Sequence, residues 1–237
     1  MLQQLVIAGL CARVKEPHES DWSKPVQLMK FLDATKMRVL TLSADNLHII
    51  KWFVDATFAV HPDFKSHAGA AMTMGKGAVI NISRKQKLNT RSSTESELAG
   101  ADDASIVIPW TKSFMEVQGC QIEKNILCQD DKSTILLKMN GRKSAGKCLH
   151  VLNIHHFFNT DQVERGNMTI ECCPTNDMWG DFHSKPLQGI KFQKSGANIM
   201  GESTLQCKSR QDNSRPQVKS AIEERSLNWP CHSRVAT

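Results

Sequence analysis

Four acidic residues have the types and settings that could do chemistry together. Asp55 sits near the centre of a long apolar, β-branched run, 48–60. Glu97 lies one turn into a helix opened by Ser92-Ser93-Thr94-Glu95, Asp130 ends the short run Asn125-Ile126-Leu127-Cys128-Gln129-Asp130, and Asp181 falls in a short helix before Pro186. A carboxylate inside an apolar strand is costly to bury unless something offsets its charge. Several carboxylates brought together repel one another, and hydrated Mg2+ is the natural remedy. Two such ions can activate a water and stabilise a leaving oxygen in phosphodiester hydrolysis. Taken singly, each acid is weak evidence, since a lone Asp after a strand is usually a turn or cap residue.

The elements that must position these groups follow from pattern. Residues 48–60, 67–74 and 77–83 read as three strands, with Gly75-Lys76-Gly77 joining the last two, so 48–83 is an antiparallel meander. A helix runs from Ser92 to about Ala104 and a second from about 109 to 118, with Pro109 breaking the two. A strand at 125–130, helices at 132–139 and 150–165, a strand at 168–172 and a short helix at 176–184 complete the order. Strands in a meander, then alternating with helices, imply an α/β fold with a mixed sheet covered by helices. Ahead of them, Asp21-Trp22-Ser23-Lys24-Pro25 reads as a helix start, with Val26, Met29, Phe31 and Leu32 roughly on one face. Arg38–Leu42 reads as a strand. From about Ser195 the pattern dissolves, and 195–237 is expected to be a disordered tail.

Composition sets the bounds. The chain has 237 residues, 40% hydrophobic and 23% charged, enough for one sizeable core. A formal charge of +6 suits a polyanionic partner without requiring one. Eight Cys occur with no Cys-x-x-Cys pair, which disfavours a zinc ribbon and reads as reduced, mostly buried thiols. Cys172 and Cys173 are adjacent and should face opposite sides of a strand. No apolar run approaches a membrane span, so an intracellular setting, cytoplasmic or nuclear, is expected.

Several segments together resemble a known family. Trp52-Phe53-Val54-Asp55-Ala56-Thr57 through Asp63, Lys85-Gln86-Lys87 and Arg91-Ser92-Ser93-Thr94-Glu95-Ser96-Glu97-Leu98, Cys128-Gln129-Asp130-Asp131-Lys132-Ser133, and Cys173-Pro174-Thr175 through Asp181-Phe182-His183-Ser184-Lys185-Pro186-Leu187 look, in order and spacing, like the ribonuclease H domain of copia-type retrotransposon Pol polyproteins. Leu10–Lys15, Asp21-Trp22 and Leu40–Asp45 resemble the end of the reverse transcriptase that precedes that domain.

The resemblance implies a ribonuclease H-like domain over 47–194, with a five-stranded mixed sheet, three strands antiparallel and then two parallel. It implies a reverse-transcriptase remnant over 1–46. It also implies Mg2+-dependent cleavage of the RNA strand of RNA–DNA hybrids, with Asp55, Glu97, Asp130 and Asp181 as catalytic metal ligands around two ions, Mn2+ being an alternative. Glu95 then serves the helix start, and Asp131 is a neighbour. The setting would be the cytoplasm, in a virus-like particle, or the nucleus. Arg84, Lys85, Lys87 and Arg91 form a basic stretch that either tracks phosphates of the hybrid or is a solvated loop.

Departures from the family pattern are also present. His150-Val151-Leu152 stands where the family has Arg-His, and His150, His155 and His156 do not share a helix face. Trp179-Gly180-Asp181 replaces a Leu-Ala-Asp pattern, at an expected cost of about 1 kcal/mol for the helical Gly. Cys128 stands in place of Tyr, and Pro109 lies in a helical region. These read as drift in a decayed copy, so a catalytically inactive, degenerate fragment with weak nucleic-acid binding is the alternative.

Overall fold

The computed structural model describes residues 2–11, 13–140 and 153–202. Helices α1 (Leu2–Cys11) and α2 (Ser23–Thr35) come first, with a 3-10 turn at Glu19–Trp22 between them. Then follow β1 (Ser43–Ala44), β2 (Ile49–Thr57), β3 (His67–Thr73), β4 (Gly75–Lys76) and β5 (Ile80–Lys85). Helices α3 (Ser93–Ser105) and α4 (Val107–Val117) lead to β6 (Lys124–Gln129), α5 (Lys132–Asn140), α6 (Asn153–Glu164) and β7 (Thr169–Cys172). A 3-10 turn at Thr175–Asp177, α7 (Asp181–Ser184) and α8 (Gly189–Met200) close the described chain.

The main sheet has the order β5-β3-β2-β6-β7. Strand β2 pairs antiparallel with β3, and β3 with β5, while β6 runs parallel to β2 and β7 parallel to β6. The mixed five-stranded sheet expected from the sequence is therefore present, with β2 at its centre. Strand β2 is buried on both faces, which accounts for its nearly continuous apolar run. On one face Ile50, Trp52 and Val54 pack with Ala70, Met72 and Leu127 against Ala101 and Ala104 of α3. On the other, Phe53, Ile126 and Cys128 meet Cys173 and Met178, and Ala71 and Ala78 meet Phe182 and Ile199 from α7 and α8.

Some boundaries differ from the sequence reading. The joint between β3 and β5 is not a tight hairpin, because Gly75–Lys76 pairs with Ser43–Ala44 in a separate two-stranded sheet. Arg38–Leu42 forms no strand. The Thr41 amide donates to the Met200 carbonyl at the end of α8 instead of to a ladder. The break between α3 and α4 falls at Ile106, and Pro109 sits in the first turn of α4, where its missing N–H costs nothing. Helix α8 was not expected from the sequence, and it corrects the start of the expected disordered tail, because 195–200 is helical with Ala197 and Ile199 buried.

The N-terminal segment is joined to that end of the domain. Arg38 meets Glu202 through two hydrogen bonds of 2.9 Å, and Phe31 lies edge-on to Phe192 at 6.2 Å. Yet α2 buries none of its own residues. Among the described residues no helix is long and apolar enough to cross a membrane. His150 and the stretch 203–237 fall outside the described residues.

Candidate active site

Strand β2 carries Asp55 toward its C-terminal end, where its backbone pairs with Gly69 of β3. Helix α3 starts where Ser92 Oγ accepts from the Glu95 amide at 3.2 Å and Glu95 accepts from the Arg91 amide at 2.7 Å. Glu95 thus serves the helix start, and Glu97 two residues on is free to turn inward. Asp130 follows the last residue of β6, next to β2 in the sheet. Asp131 accepts from the Ser133 amide at 2.9 Å and from Thr134 Oγ1 at 2.7 Å, so it caps α5 and points its charge away from the cluster.

Asp55, Glu97 and Asp130 converge, one carboxylate oxygen from each lying within 4.8 Å of the others. Asp55 and Glu97 are buried and Asp130 is half-buried. Glu97 is gripped from two sides. The Ala56 amide donates to one oxygen at 3.2 Å and Gln129 Nε2 to the other at 3.3 Å. Asp55 accepts from the Ser184 hydroxyl and from Lys185 Nζ at 3.0 Å.

Asp181 is held apart from this trio. Its oxygens take Lys185 Nζ at 2.6 Å and Lys191 Nζ at 2.5 Å. The four acids expected to meet are therefore arranged as three converging carboxylates and a fourth, with the Lys185 ammonium bridging Asp55 and Asp181.

Burial pushes the Asp55 carboxyl up to about 6, with the Asp181 charge adding to the rise and Lys185 opposing it. Burial, then the neighbouring Asp55 charge, pushes Glu97 up to about 9. Burial alone would lower Lys185, but the Asp55 and Asp181 carboxylates outweigh it and hold the ammonium well above its ordinary range. At neutral pH the chain therefore relieves the crowding by keeping Glu97 protonated, a proton that a bound divalent cation would displace. All its donors are carboxylate oxygens, the set that suits a hard divalent cation such as Mg2+ or Mn2+. Asp55, Glu97 and Asp130 fit one such ion by donor type and spacing. A second ion between Asp55 and Asp181 would have to take the place of Lys185.

Two glycines let α7 lie directly on the sheet. A Cβ on Gly180 would stand 2.8 Å from the Asp55 amide nitrogen and 2.9 Å from its Cβ, and one on Gly69 would stand 2.6 Å from the Gly180 carbonyl. Gly180 is therefore a requirement of this packing, not drift. Trp179 stacks on Phe53 with ring centroids 5.2 Å apart.

The basic stretch divides. Arg84 is tied to Asp103 at 3.3 Å and Lys85 to Asp63 at 2.7 Å, whereas the Lys87 and Arg91 side chains are exposed with no partner among the described residues. Cys172 is exposed and Cys173 buried, as two faces of a strand require. Burial pushes the Cys128 and Cys173 thiols up to about 12 and 11, so neither is a nucleophile at neutral pH.

Sequence reasoning missed four supporting residues. Lys185 lies four positions after Asp181, a helical spacing that could have signalled the pairing. Ser184 and Gln129 are polar residues in otherwise buried settings next to an acid, a weaker signal. Nothing local points from Lys191 to Asp181.

Comparison with known proteins gives the setting. No protein-family model matches the chain. The chain is 26% identical over 186 residues to the retrovirus-related Pol polyprotein from transposon RE2 of Arabidopsis thaliana, and equally so to that from transposon RE1. Each alignment covers 77% of this chain but only 13% and 12% of those relatives, so the chain spans about an eighth of their length. Among solved structures, LC11-RNase H1 isolated from compost aligns at 14% identity with a TM-score of 0.41, covering 54% of this chain and 86% of that one. A likeness that distant bears on neither substrate nor mechanism. Over most of its length, then, the chain is similar to one segment of retrovirus-related Pol polyproteins of a plant's transposons, and its sheet has the strand pattern that this resemblance implies.

Proposed function

We propose that this chain hydrolyses the RNA strand of RNA–DNA hybrids with the help of a divalent cation, as the nuclease part of a copia-type retrotransposon reverse-transcription machinery working inside the cell. The observation that carries the reading is the convergence of Asp55, Glu97 and Asp130, the first two buried and the third half-buried, at the end of the central strand. Similarity to retrotransposon Pol polyproteins supports the setting, with 1–46 as the end of the reverse transcriptase and the fold from 47 onward as the nuclease.

Asp55, Glu97 and Asp130 would hold Mg2+, with Asp181 as the ligand of a second ion once Lys185 and Lys191 give way. The bound cation supplies Lewis-acid activation of the phosphodiester and of water. The chain's own groups do the positioning. Ser184 and Lys185 fix the Asp55 carboxylate, and the Ala56 amide and Gln129 fix both oxygens of Glu97. The closeness of Gly180 to Asp55 sets how near Asp181 can stand. Lys87 and Arg91 are the cations left available to hybrid phosphates, while Arg84 and Lys85 share their charge with Asp103 and Asp63.

The test is cleavage of end-labelled RNA in a hybrid by the purified chain with Mg2+, against the same reaction with chelator. Cation-dependent cuts within the RNA strand, absent on single-stranded RNA, support the reading; a folded chain that cuts nothing overturns it. One observation favours the inactive alternative: Lys185 already occupies oxygens of both Asp55 and Asp181. If that ammonium blocks the site, wild type is silent and Lys185→Gln gains cleavage. If it positions the site, Lys185→Gln loses activity by about 10–100-fold, the usual cost of a group that orients a ligand.

A further inference from the structure

The loop 58–66, between β2 and β3, is built unlike the other connections. Ala59 and Phe64 both have left-handed backbones, with φ of 51° and 59°, and they are the only such non-glycine residues among those described. A phenylalanine there is strained and persists only where its surroundings hold it. The holding contacts are explicit. The His61 amide donates to Lys65 O at 3.1 Å, the Phe64 amide to His61 O at 2.8 Å, and the Ala59 amide to Ser66 Oγ at 3.2 Å. This framework presents large apolar side chains, Phe64 75% exposed, Val60 46% and Phe58 40%, beside an exposed Asp63 whose charge is paired with Lys85 at 2.7 Å.

The loop is fastened to the basic stretch that leads into α3. The Gln86 amide donates to Ser66 O at 2.9 Å, and the Ser66 and Thr90 hydroxyls meet at 3.0 Å. Lys87 and Arg91, both exposed, therefore border it, and Lys65 belongs to it. Its other side touches the carboxylate site, because Thr57, the residue before Phe58, donates to the carbonyl of Ser184 at 3.0 Å. Exposed aromatic rings on a hydrogen-bonded loop, the exposed Lys87 and Arg91 and the end of β2 that bears Asp55 thus share one edge.

From this juxtaposition we infer that the loop is a stacking platform for unpaired nucleotides of single-stranded nucleic acid that extends from the hybrid, with Phe64 and Phe58 taking the bases and Lys65, Lys87 and Arg91 the phosphates. Bases inside a hybrid are already stacked and offer no ring face to a side chain, whereas unpaired bases do. The platform therefore selects extensions and not the duplex. Apolar exposure alone would fit a protein partner as well. The bordering cations and the adjoining site favour a polyanion.

The assignment rests on the nuclease reading only for its location, and it is tested by binding without turnover. Fluorescence anisotropy with the full chain in chelator would compare a blunt labelled hybrid with hybrids carrying a ten-nucleotide DNA or RNA extension. The expected result is tighter binding of at least one extended hybrid by about fivefold or more, the low end of base–aromatic stacking. Phe64→Ala should remove that gain and leave blunt-hybrid affinity unchanged, and Phe64→Trp should keep it. Equal affinity for blunt and extended hybrids, or an equal loss on both with Phe64→Ala, overturns the inference. So does a change in oligomeric state with Phe64→Ala and no change in nucleic-acid binding, which would assign the surface to a protein contact. An extension preference in a chain that never cuts hybrids would defeat the nuclease reading alone, and robust cutting without the preference would defeat this one alone.

Discussion

The carboxylates around Asp55, on β2, α3 and the end of β6, and the histidines around His67, on β3, α7 and the loop before β3, are both largely buried, yet they meet burial in opposite ways. The chain from His61 through His67 to Ser83 closes on the His183 carbonyl, and only Nδ1 of His183, whose Nε2 meets Asn81 Oδ1 at 2.9 Å, is left without a partner. The Ser83 hydroxyl donates to the His183 carbonyl at 2.7 Å, so His67 Nε2 must donate to Ser83 at 2.9 Å and His61 Nε2 to His67 Nδ1 at 3.0 Å. Each ring stays neutral, and burial holds His67 and His183 down at about 4. The carboxylate cluster does not close. Of the three converging acids only Asp55 touches an ammonium, that of Lys185, and among the described residues no cation pairs with Glu97 or Asp130. A buried polar group satisfied by its own chain is structural, while one left short of charge points to something from outside.

The largest effect that could break this contrast is on chemistry. Asp55→Asn should lower hybrid cleavage by at least about a hundredfold, since loss of a ligand exceeds the loss of a group that only orients one. Single-turnover cleavage with circular dichroism as the folding control measures it. A mutant that cuts at the wild-type rate would place the chemistry elsewhere.

Next is Gly180→Ala. The added Cβ has no room beside Asp55 and must push α7 off the sheet, at about 1–3 kcal/mol of stability. Chemical denaturation reads this, and cleavage should fall with it. A neutral Gly180→Ala would mean that the close approach is not needed.

The third effect separates the clusters by pH. Unfolded histidine titrates near 6.5, above the folded value of about 4, so the histidine contribution is complete above pH 6.5 and is lost as pH falls toward 4. Each histidine can withdraw on the order of 3 kcal/mol. The carboxylates run the other way. Their folded values of about 6 and 9 lie above the unfolded ones, so stability present at low pH is lost as pH rises through 6 for Asp55 and 9 for Glu97. Between about pH 4 and 6 the two oppose each other, and above 6.5 the Glu97 loss remains. Melting temperatures from pH 5 to 9 in chelator should therefore decline on the alkaline side, and saturating Mg2+ should remove that decline while leaving the acid side unchanged. Glu97→Gln should melt higher than wild type at pH 8 in chelator and gain nothing from Mg2+.

The smallest effect sharpens the view of the basic stretch. Arg84→Ala removes an exposed ion pair and should change stability by less than about 1 kcal/mol and hybrid affinity little. Lys87→Ala and Arg91→Ala should each weaken binding and flatten its salt dependence. Equal effects at all three positions would show that the pairing of Arg84 does not matter.

What could be read beforehand depended on whether a signal was local. Strand β2 and the start of α3 were legible because an apolar run and a Ser-x-x-Glu cap are written in neighbouring residues. The β1–β4 pairing was not, because strands of two residues carry no periodicity and their partners lie some thirty positions apart. Helix α8 was missed altogether, since its buried positions Ser195, Gly196 and Ala197 are small and pack by closeness, not by apolar bulk. Asp55, Glu97 and Asp130 were singled out through the resemblance of their segments to the family, but the two lysines on Asp181 depend on a helix whose docking no local pattern fixes. Gly180 looked like damage because helix propensity was weighed without the neighbouring strand.

Direct cation binding tests the central claim most closely. Titration of the full chain with Mn2+, followed by electron paramagnetic resonance at pH 7.5, should show saturable binding that Mg2+ displaces and that Asp55→Asn and Glu97→Gln each abolish. Absence of saturable binding to the folded wild type, or binding that survives both substitutions, would contradict it.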